Sequence, residues 1–112
     1  MGVLYDETVS DLSLRVITVD DPAGLKVSGA VDLTTRGEWR QALRVMTDID
    51  GDIHLDVAEL DFIDCGGVSE LVHASRSLPA GRHVVVHGQS PLFQRVLRLF
   101  WPNVPTIKVV AA

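Results

Sequence analysis

The sequence contains one cysteine, Cys65. It cannot close an internal disulfide, so nothing implies an oxidising compartment, and cytoplasmic is the expected location. No apolar run approaches the ~20 residues that a membrane-spanning helix needs, so direct membrane insertion is not expected. The opening stretch MGVLYDETVSDLS carries acids and no basic region ahead of an apolar run, unlike a secretory leader. It also lacks the Ser or Thr that a myristoylation site places after Gly2. Basic residues are in the minority: 10 Lys and Arg stand against 15 Asp and Glu, for a formal net charge of −5. With no basic cluster, the chain is a poor candidate for nucleic acid, whose phosphates dominate binding. An acidic surface favours solubility and suits a basic protein partner.

Several enzyme signatures are missing as well. There is no GxxxxGK[ST] phosphate loop, no GxGxxG after the first strand and no GxSxG nucleophile elbow. No cofactor is therefore expected.

What is present is ample apolar material: 46% of the 112 residues are hydrophobic. That is enough for the core of a single domain spanning 1–112 and argues against disorder. No repeat, low-complexity stretch or linker divides the chain.

LSLRVITVD (12–20) alternates and is rich in β-branched residues, so it reads as a strand. DDPAG (20–24) is a turn, and LKVSGAVD (25–32) reads as a second strand antiparallel to the first. Residues 33–49 read as a helix that starts at Thr35, with Glu38 completing a capping box. Trp39, Ala42, Leu43 and Met46 recur at helical spacing. A third strand follows at 53–60, with Ile53, Leu55 and Val57 on one face. Next comes LDFIDCGGVSEL (60–71), in which a strand runs into two glycines and then into a helix whose inward residues are Val68, Leu71, Val72 and Ser75. HVVVHG (83–88) is a short buried strand. Ser90 and Pro91 cap a third helix, with Phe93, Val96, Leu97 and Phe100 facing the core. TIKVV (106–110) closes the chain.

The expected architecture is α/β: a mixed, mostly parallel sheet of about five strands with an N-terminal hairpin, in the order β-β-α-β-α-β-α-β. The third helix is apolar nearly all round, at Leu92, Phe93, Val96, Leu97, Leu99, Phe100 and Trp101. One sheet face buries only one stripe. The remainder either forms an interface or is covered by the WPNVP loop and the last strand.

Chemistry-bearing residues are few. Cys65 would be a nucleophile only beside a base, and a cysteine at a strand-to-helix turn is ordinarily a small packed residue. His83 and His87 share a strand face, but no third ligand is evident, so no metal is expected. Asp61 and Asp64 could pair for acid–base work. Capping of the following helix by Asp64 is the more economical role.

The passages VSGAVDLTTRGEWRQAL (27–43) and LDVAELDFIDCGGVSELVHA (55–74) together resemble the STAS domain, the family that includes bacterial anti-sigma factor antagonists. The resemblance covers about residues 10 to 110. It implies a protein-binding module and not an enzyme. In that family a serine in the turn before the helix is phosphorylated by an anti-sigma factor with kinase activity, and phosphorylation breaks the complex that frees the sigma factor. Carried onto this chain, Asp64 matches the family aspartate and Gly67 the family glycine. Cys65 stands at the first serine, and Gly66 at the second, the usual phosphoacceptor. Both hydroxyls are absent, and Ser69 is the nearest substitute. In the first motif Ala30 replaces a glutamate, while Asp32 and Thr35 fit. The implied partner surface comprises Asp32, Thr35, Asp64, Cys65, Gly66, Gly67, Ser69 and His73. The implied partner is an anti-sigma factor with a histidine-kinase-like ATPase domain, and a homodimer is left open. The alternative is a non-phosphorylated STAS subunit of a sensory complex or a lipid-transporter assembly.

Overall fold

The computed structural model describes residues 14–110. The N-terminal stretch and the first two residues expected in the first strand lie outside that span. Strand β1 (Leu14–Asp20) pairs antiparallel with β2 (Ala23–Val31) across a two-residue turn, Asp21–Pro22, whose peptide bond is cis. A single 3₁₀ turn (Leu33–Thr35) leads into helix α1 (Arg36–Thr47). Then follow β3 (Ile53–Ile63), α2 (Cys65–Arg76), β4 (Val84–His87), α3 (Pro91–Phe100) and β5 (Ile107–Val109). The strands lie in the order β1-β2-β3-β4-β5, and every pair after the first is parallel. This is the expected α/β architecture.

Sequential parallel strands joined by right-handed crossovers put every helix on one face of the sheet. The register agrees. Leu25 sits beside Leu55, Leu55 beside Val86, and Val84 beside both Ile53 and Ile107, and all of these are buried. The alternate residues point the other way: Lys26 beside Asp56, His54 beside Val85, and Asp56 beside His87. Period-two alternation in a sheet covered on one side requires this division.

Trp39, Ala42, Leu43 and Met46 of α1 and Val68, Leu71, Val72 and Ser75 of α2 are all buried, as their spacing predicts. The Ser75 hydroxyl is satisfied by the Val72 carbonyl at 2.8 Å and by the Thr106 hydroxyl at 2.8 Å. Helix α3 differs from expectation at one residue. Phe93 and Leu97 are buried, but Phe100 is 62% exposed. The helix ends at Phe100, and the chain turns so that Trp101 and Val104 pack against the core in its place. Leu92 and Leu99 also stay exposed, so the last strand and its loop cover only part of the apolar excess.

Candidate partner-binding site

The segments singled out by sequence converge at one end of the sheet, where β2 and β3 run out side by side. Val31 pairs with Ile63, and the Asp64 amide donates to the Val31 carbonyl at 3.0 Å. The turn after β2 and the turn after β3 are therefore held together by backbone.

In the first turn, the capping box lies three residues earlier than expected, at Asp32 and Thr35 instead of Thr35 and Glu38. Asp32, not Thr35, is the capping residue. Its Oδ1 accepts from the Thr34 amide at 2.9 Å and the Thr34 hydroxyl at 2.6 Å. Thr35 makes no side-chain cap for α1. Its hydroxyl accepts from the Asp32 amide at 3.0 Å and donates to the Ala30 carbonyl at 2.7 Å. Thr35 is only 3% exposed. It ties the turn to the end of β2 and offers nothing to a partner.

The Thr34 hydroxyl, followed by the Thr34 and Thr35 amides, holds the Asp32 carboxyl below its ordinary pKa. A depressed carboxylate contributes stability above the unfolded-state value of about 4, and that contribution disappears as pH falls through the lower folded value. Acid titration of folding should therefore show a shallower loss below about pH 4 in Asp32→Asn than in the parent, read by circular dichroism.

In the second turn Asp64 is the N-cap of α2, as expected, accepting from the Gly67 amide at 2.7 Å. Sequence reasoning did not anticipate its second partner. Arg36, 28 positions earlier, sets Nη2 at 2.6 and 2.7 Å from the two Asp64 oxygens. The guanidinium then extends over Gly66. A Cβ built on Gly66 would lie 2.4 Å from Arg36 Nη1. The volume in which any side chain at position 66 would begin is therefore occupied by a cation. The only signal in the sequence was a basic residue directly after Thr35.

Gly67 is buried, with Val31 and Ile63 filling the space where a Cβ would sit. Its carbonyl accepts from the Trp39 indole at 2.9 Å. Cys65 is exposed, not packed. Ser69 is half-buried, and His73 is exposed two turns further along α2. Of the eight candidate residues, Asp32, Asp64, Cys65, Gly66, Gly67 and Thr35 meet at the junction. Ser69 begins the second turn of α2, and His73 lies apart, towards α1.

Large apolar side chains flank this junction. Leu33, in the 3₁₀ turn, is 83% exposed, Phe62, at the end of β3, is 46% exposed, and Leu92 is 56% exposed. The depression bordered by Phe62, Ile63 and Leu92 has a volume of only about 40 Å³. Ligand pockets usually run from about 300 Å³ upwards. The junction is an exposed apolar surface around a helix N-terminus, not a cleft.

His83 and His87 each meet a residue at or just before β3. His83 contacts Asp52, with its amide 2.9 Å from the carboxylate. His87 Nε2 meets His54 Nδ1 of β3 at 2.7 Å on the bare sheet face. The ring centroids are 5.0 Å apart and the planes differ by 28°. Among the described residues no group of three or more His, Cys, Asp or Glu is placed to hold a metal ion. No described helix is long and apolar enough to cross a membrane.

A family model described as "Mlab, STAS domain" matches residues 14–101. No curated protein has a matching sequence. Among solved structures, an anti-sigma factor antagonist from Mycobacterium paratuberculosis superposes with a TM-score of 0.72 at 21% identity, over 88% of this chain and 86% of that one. The anti-sigma factor antagonist SpoIIAA in its unphosphorylated form superposes with a TM-score of 0.62 at 16% identity, over 88% of each chain.

Proposed function

Because the chain belongs to the STAS domain family, we propose that it is a protein-binding regulatory module of the anti-sigma factor antagonist kind, without catalytic activity, whose capture of a partner is not switched by phosphorylation at the usual position. The partner implied is an anti-sigma factor with a kinase-like ATPase domain, captured in the cytoplasm to control transcription. The observation that carries this is the α2 N-terminus. It is ringed by exposed Leu33 and Phe62, and Arg36 fills the place of the acceptor side chain. Exposed apolar residues around a rigid turn suit a protein interface. A phosphate adds up to about two negative charges, and that charge is what ordinarily ends such a complex. Glycine has no atom to receive it. Partner supply then governs occupancy.

The same observation favours a second reading: a STAS subunit retained as a docking piece in a sensory or lipid-transporter assembly. Neither role needs the hydroxyl. The partner decides between them.

The test is affinity capture with the tagged chain from its native cytoplasm, with bound proteins identified by mass spectrometry. An anti-sigma factor with an ATPase domain is the expected catch, and transporter or sensor subunits would select the second reading. Leu33→Asp and Phe62→Asp should each weaken capture roughly tenfold or more. Intact-mass analysis after incubation with the captured kinase should show no added phosphate. Gly66→Ser restores the acceptor but must displace Arg36 from Asp64, so it should lower stability by about 1 kcal/mol while making the chain phosphorylatable. Full capture by both aspartate variants would overturn the assignment of this surface.

A further inference from the structure

Helices α1 and α2 lie side by side, and the seam between them opens into a cleft of about 330 Å³. Its floor is Ala74 and the edge of Leu43, which is otherwise buried, and its walls include Arg40, Arg44, Glu70 and His73. Arg36, Arg40 and Arg44 follow one another at intervals of four along α1, so they form one row facing this seam. The row is used unevenly. Arg36 is bound to Asp64, and Arg40 Nε sits 2.7 Å from Glu70 Oε2. Among the described residues Arg44 has no carboxylate partner, and its Nη1 reaches Gln41 Oε1 at 2.8 Å. His73 and Arg76 add exposed basic side chains from the last turns of α2. In a chain whose net charge is −5, this concentrates cationic side chains around an apolar floor.

Beyond Arg36 and its Asp64 bond, the row adds little to the stability of the fold. Like charges at four-residue spacing on a helix repel slightly, by a few tenths of a kcal/mol. The exposed Arg40–Glu70 pair contributes little on its own. The arrangement matches an incoming surface with the opposite pattern: carboxylates about one helical turn apart, next to one or two small apolar side chains.

We propose that the α1–α2 cleft docks an acidic amphipathic helical segment of a protein partner, with one carboxylate on Arg44, a second exchanging with Glu70 for Arg40, and apolar side chains on Leu43 and Ala74. The proposal rests on the reading that the chain binds protein, and adds a second contact surface of defined charge to the apolar one at the α2 N-terminus. The two are separable because Arg44 is exposed and eight residues along α1 from Arg36.

The test uses the full chain, ¹⁵N-labelled, titrated with a synthetic helical peptide of about three turns that carries Glu at i and i+4 beside Leu and Ala. Amide shifts should be confined to Arg40, Leu43, Arg44, His73 and their neighbours. Affinity should fall roughly tenfold or more in Arg44→Glu and fall again as salt is raised. The same peptide with Gln for Glu should bind far more weakly. Leu33→Asp should leave this titration unchanged, so loss of native capture in Leu33→Asp with peptide binding intact separates the two surfaces. Each of these results overturns the proposal: no shifts; shifts at Leu33 and Phe62 instead; affinity indifferent to Arg44→Glu; or inorganic phosphate alone reproducing the shifts with the same Arg44 dependence, which assigns the cleft to a small anion. Concentration-dependent shifts at the same residues without peptide would assign it to a second copy of the chain, and equally overturn the proposal. If native capture persists while the cleft fails every arm, only the cleft assignment falls.

Discussion

Trp39→Ala is expected to lower folding stability by about 3–5 kcal/mol, a large share of the roughly 5–15 kcal/mol that holds a typical domain folded. Trp39 is fully buried, the largest side chain in the core, and stands between α1 and the sheet. Its removal leaves a cavity that surrounding side chains cannot close without moving a helix. The indole also does something no aliphatic residue can. Its Nε1 donates to the Gly67 carbonyl at 2.9 Å, fixing the first turn of α2 against α1. Trp39→Phe separates the two contributions. Much of the volume stays, the hydrogen bond goes, and the carbonyl keeps its place in the helix ladder, so the loss should be nearer about 1 kcal/mol. Urea unfolding of both variants measures the difference, and amide exchange at Gly66 and Gly67 shows whether the turn has loosened. Equal losses in the two variants would mean that the hydrogen bond, not the packed volume, dominates.

Gly24→Ala is the second. Gly24 pairs with His54 in the parallel β2–β3 ladder, and a Cβ on it would lie 1.7 Å from the His54 carbonyl oxygen. Backbone on a neighbouring strand cannot swing aside as a side-chain tip can. The two strands must part locally, at a cost of about 3 kcal/mol or more. Because β2 and β3 also carry the two turns of the candidate site, the variant should lose partner capture along with stability. Gly37→Ala is the matching control. Its Cβ meets nothing within 4 Å, and it sits in α1, so alanine should stabilise by about 0.5–1 kcal/mol. Thermal unfolding of the pair should move in opposite directions, and a stable Gly24→Ala would show that the ladder can widen at this point.

Much of the site could be read before any coordinates. The junction at 60–71 announces itself by a strand pattern giving way to glycines and then to a helix pattern, and Asp64 stands where an N-cap must stand. The capping box was harder to place. Asp32, Thr34 and Thr35 are all residues that bond nearby backbone, and spacing alone favoured Thr35 with Glu38. The β2 strand ends one residue before Asp32, so the Asp32 carboxylate reaches the free amides first, and Thr35 turns back into the protein. The exposure of Cys65 is a related case. Whether a turn residue packs or protrudes depends on what the neighbouring strand brings beside it, and here Gly67, two residues on, takes the buried position between Val31 and Ile63.

By itself the sequence determined the element order, the inward faces of α1 and α2 and the absence of a hydroxyl at position 66, because periodicity and residue identity are local properties of the chain. Tertiary structure decided the rest. Arg36 lies over Gly66, His54 faces His87, Leu33 and Phe62 stand exposed around one helix end, and the arginine row of α1 opens onto a cleft beside α2. Each of these joins residues about 30 positions apart, or depends on what is left uncovered after packing. Spacing along a chain says which face a side chain takes; only the register between strands and the crossing of helices says what it meets there.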